Sequence, residues 1–202
     1  LILGTIILAA GSSARMGGEP KQLLTYEGKT LMRRITDSAL SLQAGPVAVV
    51  LGAHREQIAP ELAGLPITLI DNRQWASGLA SSLKIGLAAL YLTQKELDAI
   101  LVLLTDQPLV SAGVLQHLIA TYQEENKGIV ACQYNGQLGL PALFSRNYID
   151  ELLQLDGDKS PKWVIVRHRA DCAMVPFEAG AVDLDSWRDV ELFAQAQASE
   201  NL

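Results

Sequence analysis

Two cysteines, Cys132 and Cys172, are too few for a disulfide scaffold, and no C-x-x-C supplies a zinc motif. Neither stands in a catalytic context, so both read as small apolar residues, and a reducing, cytoplasmic setting is expected. Histidine is equally sparse. His54, His117 and His168 lack partners at catalytic spacing, so they are expected on the surface or as satisfied core residues. No Ser-His-Asp arrangement is legible. Basic residues are outnumbered, 16 Lys and Arg against 22 Asp and Glu, and the net charge of −6 argues against a nucleic-acid surface while leaving room for a local basic pocket. No apolar run reaches the length of a membrane span, so no membrane partner is expected. The apolar start, residues 1–10, lacks a charged leader region and a cleavage pattern and reads as a first strand. Because it begins at Leu1 rather than Met, the numbering is expected to omit some residues. Internal repeats and low-complexity tracts are absent. Two phosphate-binding fingerprints are absent too: no Gly-Lys-Ser/Thr follows Gly11 at Walker A spacing, and no G-x-G-x-x-G marks a dinucleotide fold, which disfavours a plain NAD-binding domain.

What is present is ordinary globular composition. A 49% hydrophobic and 19% charged chain of 202 residues can bury a full core as a single domain. Strand-like apolar runs, Gly4–Leu8, Val47–Leu51, Ile67–Ile70, Ala99–Leu104 and Gly128–Cys132, alternate with helical stretches near Leu31–Leu42, Glu56–Leu62, Ser81–Leu92 and Ser111–Glu124. The runs at Val47 and Ala99 do not alternate polar and apolar, as expected of strands covered on both faces. The pattern predicts a three-layer α/β/α sandwich around a mostly parallel, Rossmann-like sheet. After Tyr134 the regularity loosens. A turn at Asn135-Gly136, a short strand at Leu140–Phe144 and helices at Asn147–Leu155 and Pro161–Val166 are expected, with Pro161 at a first helical position. Edge strands at Ala173–Pro176 and Ala181–Asp183 follow, then a helix capped by Ser186 running to about Ala198 and a tail that frays from Ser199.

The chemistry concentrates where strands end. The first strand runs into Ala9-Ala10-Gly11-Ser12-Ser13-Ala14-Arg15-Met16-Gly17-Gly18, with Pro20-Lys21-Gln22-Leu23-Leu24 behind it. Small residues let backbone N–H groups approach phosphate oxygens, and Arg15 and Lys21 offset their charge. Thr105-Asp106-Gln107-Pro108 ends the fourth strand. Loop and carboxylate can therefore face one crevice beyond the carboxyl ends of the strands, where Asp106 suits a magnesium ion. Alone, Asp106 reads equally well as a cap for the next helix. In Val182-Asp183-Leu184-Asp185-Ser186-Trp187, the D-x-D spacing sets both carboxylates on one side of an extended segment, although Asp185 also reads as a helix cap. Asn72-Arg73-Gln74-Trp75-Ala76-Ser77-Gly78 opens a helix at Ser81-Ser82, where Gly78 permits close backbone approach.

These segments resemble the MobA-like nucleotidylyltransferases over nearly the whole chain. Leu8-Ala9-Ala10-Gly11-x-Ser13-x-Arg15-Met16-Gly17 with Lys21-Gln22-Leu23-Leu24 matches the opening signature, and the Ala-Ala-Gly form is most similar to the molybdenum cofactor cytidylyltransferase branch. Asp106-Gln107-Pro108, Gly139-Leu140-Pro141-Ala142-Leu143-Phe144, Asp156-Gly157-Asp158 and the late D-x-D resemble later motifs of the family. The resemblance implies a nucleotide-diphospho-sugar transferase or GT-A type fold, one domain over residues 1–202. Residues 1–134 would be its nucleotide-binding part, and 135–202 its acceptor-side part with the final metal segment. It implies Arg15, Lys21, Asp106 and Asp185 as catalytic residues and Mg2+ on Asp106 and Asp185, with Asp183 as runner-up for the second position. Ala9, Ala10, Gly11, Ser13, Arg15, Lys21, Gly78, Ser82 and Asp106 would bind the nucleotide. The implied reaction transfers CMP from CTP to the phosphate of molybdopterin, and the product could pass to a molybdenum hydroxylase apoenzyme. The alternatives are GTP with the same acceptor, another small-molecule cytidylyltransferase, and a non-catalytic cofactor-binding maturation factor for a molybdenum hydroxylase. The chain departs from the family at Glu19, at Lys159-Ser160-Pro161-Lys162 and at Ser186-Trp187, where Thr-Pro is common.

Overall fold

The structure, a computed structural model, describes residues 1–200. The first half comprises β1 (Leu3–Ala9), a hairpin of β2 (Thr25–Tyr26) and β3 (Lys29–Thr30), α1 (Leu31–Ser41), β4 (Val47–Leu51), α2 (Arg55–Ile58), β5 (Thr68–Asp71) and α3 (Leu79–Thr93). Then come β6 (Ala99–Leu104), α4 (Ala112–Glu124), β7 (Ile129–Tyr134), β8 (Gln137–Ser145), α5 (Ile149–Gln154), α6 (Lys162–Arg167), β9 (Cys172–Pro176) and α7 (Trp187–Glu200).

Seven strands form one sheet in the order β5-β4-β1-β6-β8-β7-β9. Within it β8 alone runs against its neighbours. Successive side chains of a strand point to opposite faces, and both faces are covered. Ile6, Leu8, Ala48 and Val50 pack with Leu83, Leu87 and Leu90 of α3 and with α5 and α6. Leu3, Ile7, Val47, Val49 and Leu51 pack with Met32 and Ile35 of α1 and Leu115 and Leu118 of α4. This double coverage explains the unbroken apolar runs and completes the expected three-layer sandwich. Among the described residues no helix is long and apolar enough to cross a membrane.

Several expectations need correction. Residues Ala181–Asp183 are not an edge strand. A 3-10 turn occupies Glu178–Ala181, and its backbone bonds locally, Val182 N donating to the Ala179 carbonyl. The helix expected at Glu56–Leu62 is α2 followed by a 3-10 turn at Ala59–Leu62, because Pro60 lacks an N–H to continue an α-helix. Pro161 precedes the first helical residue of α6 instead of occupying it. The strand at Leu140–Phe144 extends to Gln137–Ser145, with a register irregularity opposite Leu140 and Pro141 that accommodates the proline. The β2-β3 hairpin turns through Glu27 (φ 50°) and Gly28 (φ 78°), and Glu-Gly carries a weaker turn signal than Asn-Gly. Ser186 does begin α7. Its hydroxyl accepts from Asp189 N at 3.3 Å while Asp189 Oδ2 accepts from Ser186 N at 2.7 Å. Ser199, expected in a frayed tail, lies within α7, and residues 201–202 of that tail are outside the described residues.

Candidate active site

The loop after β1 is held by its own chain. Ser13 takes a left-handed conformation (φ 53°), and its carbonyl accepts from Met16 N and Gly18 N at 2.8 and 3.2 Å. Its hydroxyl accepts from Lys21 N at 3.1 Å. Gln22 is 1% exposed and donates from Nε2 to the carbonyls of Ala9 (3.0 Å) and Gly11 (3.4 Å). His54 Nε2 lies 2.9 Å from the Ser12 carbonyl, so this histidine is a satisfied one. The indole of Trp187 donates to the Met16 carbonyl at 3.2 Å, tying the start of α7 to the loop. These ties fix a path along which residues 9–11 line a cleft of about 350 Å³.

The cleft opens at the carboxyl ends of β1 and β6. Ala9, Ala10, Gly11, Lys21, Gly78, Ser82 and Asp106, all expected nucleotide-binding residues, line it. Ser82 is 3% exposed, and its hydroxyl accepts from Asn72 Nδ2 at 2.9 Å. Gly78 (φ 108°) packs on Gly157 so closely that an added Cβ would lie 2.3 Å from the Gly157 carbonyl carbon and oxygen. Beside it Ala80 N donates to the Gly157 carbonyl at 3.1 Å. Ser13 stands apart from these residues: its hydroxyl accepts from Lys21 N inside the loop, and it is not among the cleft-lining residues. Trp75, Leu79 and Asp158 do line the cleft. None was singled out as a site residue beforehand, although Trp75 and Leu79 belong to the segment running from Asn72 and Asp158 to the Asp156-Gly157-Asp158 motif, both read in the sequence.

Three carboxylates meet beside the cleft. One oxygen each from Asp106, Asp183 and Asp185 lies within 4.8 Å of the others. Leu184 N donates to the Asp106 carbonyl at 2.9 Å, which pins the late segment to the end of β6. The Lys21 ammonium, 14% exposed, donates to Asp106 Oδ2 at 2.7 Å and to Asp185 Oδ1 at 2.5 Å. Burial lowers its pKa, but Asp106 and Asp185 outweigh that and hold it above the ordinary lysine value. Arg15, 75% exposed, reaches Asp185 Oδ2 at 2.9 Å from outside the cleft lining. Desolvation and the like charges of Asp106 and Asp185 push the Asp183 carboxyl up to about 7. Because the Asp183 side chain is exposed, solvent offsets much of the desolvation, and the two neighbouring charges are the durable cause. The capping alternatives fall away, since Ser111 caps α4 and Ser186 with Asp189 caps α7.

Asp106 Oδ1 is buried without a hydrogen-bond partner. A buried orphan carboxylate oxygen beside two further carboxylates fits a hard divalent cation, which takes oxygen ligands. The two cysteines are free and buried away from this chemistry, and burial pushes their thiols up to about 12 for Cys132 and about 11 for Cys172. Glu19 is exposed and stands outside the cleft lining.

The chain as a whole has relatives among known proteins. The protein named nicotine blue oxidoreductase from Paenarthrobacter nicotinovorans is 33% identical over 118 residues, 58% of this chain and 56% of its own length. The matched stretch therefore spans little more than half of that protein. The crystal structure of Rv0371c from Mycobacterium tuberculosis H37Rv superposes with a TM-score of 0.81 at 26% identity, covering 96% of this chain and 97% of that one. A structure of Rv0371C in complex with manganese superposes with a TM-score of 0.76 at 25% identity, covering 95% and 97% of the two chains. The sequence profile of the MobA-like NTP transferase domain matches residues 5–172, a span that holds the first loop, Asn72, Gly78, Ser82 and Asp106. By profile and by fold, the chain belongs to the MobA-like NTP transferase family.

Proposed function

We propose that this protein transfers CMP from CTP to the phosphate of a molybdopterin-type acceptor and releases pyrophosphate. The observation that carries the reading is the meeting of Lys21 with Asp106, Asp183 and Asp185 beside a cleft lined by residues 9–11. An acceptor phosphate oxygen attacks the α-phosphorus in line. The bond from that phosphorus to the β-bridging oxygen breaks, and its electron pair leaves with pyrophosphate. Such chemistry needs positioning and charge neutralisation more than covalent help. Lys21 and Arg15 supply positive charge to the β- and γ-phosphates and the leaving group. Residues 9–11 face the base, and Ser82, oriented by Asn72, faces the base or ribose. Asp106 and Asp185, with Asp183 as a third carboxylate, would hold Mg2+. When bound, such an ion neutralises phosphate charge as a Lewis acid. The manganese complex of Rv0371C supports a divalent ion in this fold.

CTP is favoured by the Ala9-Ala10-Gly11 form and by Asp106-Gln107-Pro108, and GTP with the same acceptor is the neighbouring reading. Residues 135–202 form the acceptor side, and a cytoplasmic molybdenum hydroxylase apoenzyme would receive the product. One observation favours a second reading, cofactor binding without turnover: Lys21 and Arg15 pair with Asp106 and Asp185, the same carboxylates a metal would need. The test is pyrophosphate release from CTP, GTP and ATP with Mg2+ and a molybdopterin source. Release with CTP alone, abolished in Asp106→Ala, supports the cytidylyl reading, and release with GTP moves the protein to guanylyl transfer. Cofactor binding with no release from any triphosphate supports the second reading.

A further inference from the structure

We infer that Gln107 is a positioning residue that sets the geometry of the acidic cluster by holding the late segment in place; this rests on the metal-site reading above. Gln107 follows Asp106 directly and is 7% exposed. Its side chain does not line the nucleotide cleft. Nε2 donates instead to two carbonyls from distant parts of the chain, Leu140 of β8 at 3.0 Å and Gly180 of the late 3-10 turn at 2.9 Å. Turning the amide over would set Oε1 against both carbonyl oxygens, so the hydrogen bonds fix its orientation. Oε1 is buried with no partner. An apolar residue of similar size would fill the space without stranding that oxygen, so the two donors explain the amide.

The clamp acts close to the carboxylates. Gly180 stands three residues before Asp183, and the Leu184 amide, bonded to the Asp106 carbonyl, stands between Asp183 and Asp185. The late segment is thus pegged to the end of β6 at two points, once through the Gln107 side chain and once through the Asp106 backbone. Tyr134 braces the same joint. Its hydroxyl donates to the Leu140 carbonyl at 3.0 Å, and its ring packs so close to Gly180 that an added Cβ there would lie 2.8 Å away. Residues that orient metal ligands typically change metal affinity about 10–100-fold when removed. Losing the Gln107 peg leaves the Leu184 peg and the strand pairing of β6 intact, so ligand placement suffers more than folding does.

The test is Mn2+ titration of the full chain followed by the loss of the free-ion electron paramagnetic resonance signal. Thermal unfolding of each variant is recorded in parallel. Gln107→Leu, which keeps volume and removes both donors, should bind Mn2+ about 10–100-fold more weakly at a temperature where it is folded. Tyr134→Phe, which keeps the ring and both Gln107 bonds and removes only the phenol, should bind more tightly than Gln107→Leu. Gln107→Asn, too short to reach both carbonyls, is read in the same way if Gln107→Leu does not fold. Wild-type affinity in a folded Gln107 variant overturns the inference while leaving the metal reading intact. A wild-type chain that takes up no Mn2+ overturns the metal reading and the inference with it.

Discussion

The Lys21 ammonium lies 2.5 Å from Asp185 Oδ1, joining residues 164 positions apart across the mouth of the cleft. It also lies 2.7 Å from Asp106 Oδ2. Lysine and a divalent cation therefore compete for the same carboxylates. In Lys21→Ala, three carboxylates lose their partly buried counter-charge. Mn2+ should bind more tightly, while pyrophosphate release should fall about 10²–10³-fold, the usual cost of losing a charge-stabilising donor. Metal titration and turnover moving in opposite directions confirm the assignment. Unchanged turnover removes Lys21 from the mechanism.

The three carboxylates are unequal. Asp106 is partly buried and carries an orphan oxygen, whereas Asp183 is exposed and electrostatically crowded. Asp106→Asn should lose Mn2+ binding, and Asp183→Asn should weaken it less, because removing one negative charge relieves repulsion among those that remain. Calorimetric Mn2+ titration of both variants ranks them. The reverse order makes Asp183 the principal ligand.

Gly78 is held at φ 108° and ψ 173°, a region open essentially to glycine, and it packs directly against the Gly157 carbonyl. Gly78→Ala should lower stability by about 1–3 kcal/mol from backbone strain alone. It should also push the Gly157 segment away and, because Gly78 lines the cleft, raise the apparent Kd for nucleotide. Urea unfolding and nucleotide titration measure the two effects separately.

Tyr148 Oη donates to Asp171 Oδ2 at 2.6 Å. That bond, followed by one from Gly128 N, holds the Asp171 carboxyl below its ordinary value. Its stabilising contribution is present above the unfolded carboxyl pKa of about 4 and fades as pH falls through the lower folded value. Burial, then the bond to Asp171, pushes the Tyr148 phenol up to about 12. The stability due to the neutral phenol is complete below its unfolded pKa of about 10. It is lost as pH rises toward about 12. The stability difference between wild type and Tyr148→Phe should therefore be largest between those limits and shrink on both sides. Urea midpoints of the two proteins across pH check it, and a pH-independent difference rules the pair out as its source.

Much of the scaffold was legible because its signals are local. The runs at Val47–Leu51 and Ala99–Leu104 are strands with those bounds, since a strand covered on both faces needs an apolar residue at every position. Asp106 was readable as a site residue because strand ends in an open α/β sheet face the ligand. Ala181–Asp183 misled because its β-compatible residues are overridden by local turn bonds. Gln107 drew attention only as part of a motif. The carbonyls it clamps lie 33 and 73 residues away, and no periodicity encodes such a contact.

Composition, apolar patterning and the residues at strand ends by themselves determined the layered α/β fold, the family likeness and the list of charged groups available for chemistry. Those properties follow from backbone periodicity and short-range residue types, which a linear chain carries openly. Only the tertiary structure decided that Asp183 joins Asp106 and Asp185, that Ser13 turns its hydroxyl into the loop, and that Gln107 faces Leu140 and Gly180. Each depends on where segments far apart in sequence come to rest against one another. That placement is set by the packing of the whole sheet, not by the residues beside the one in question.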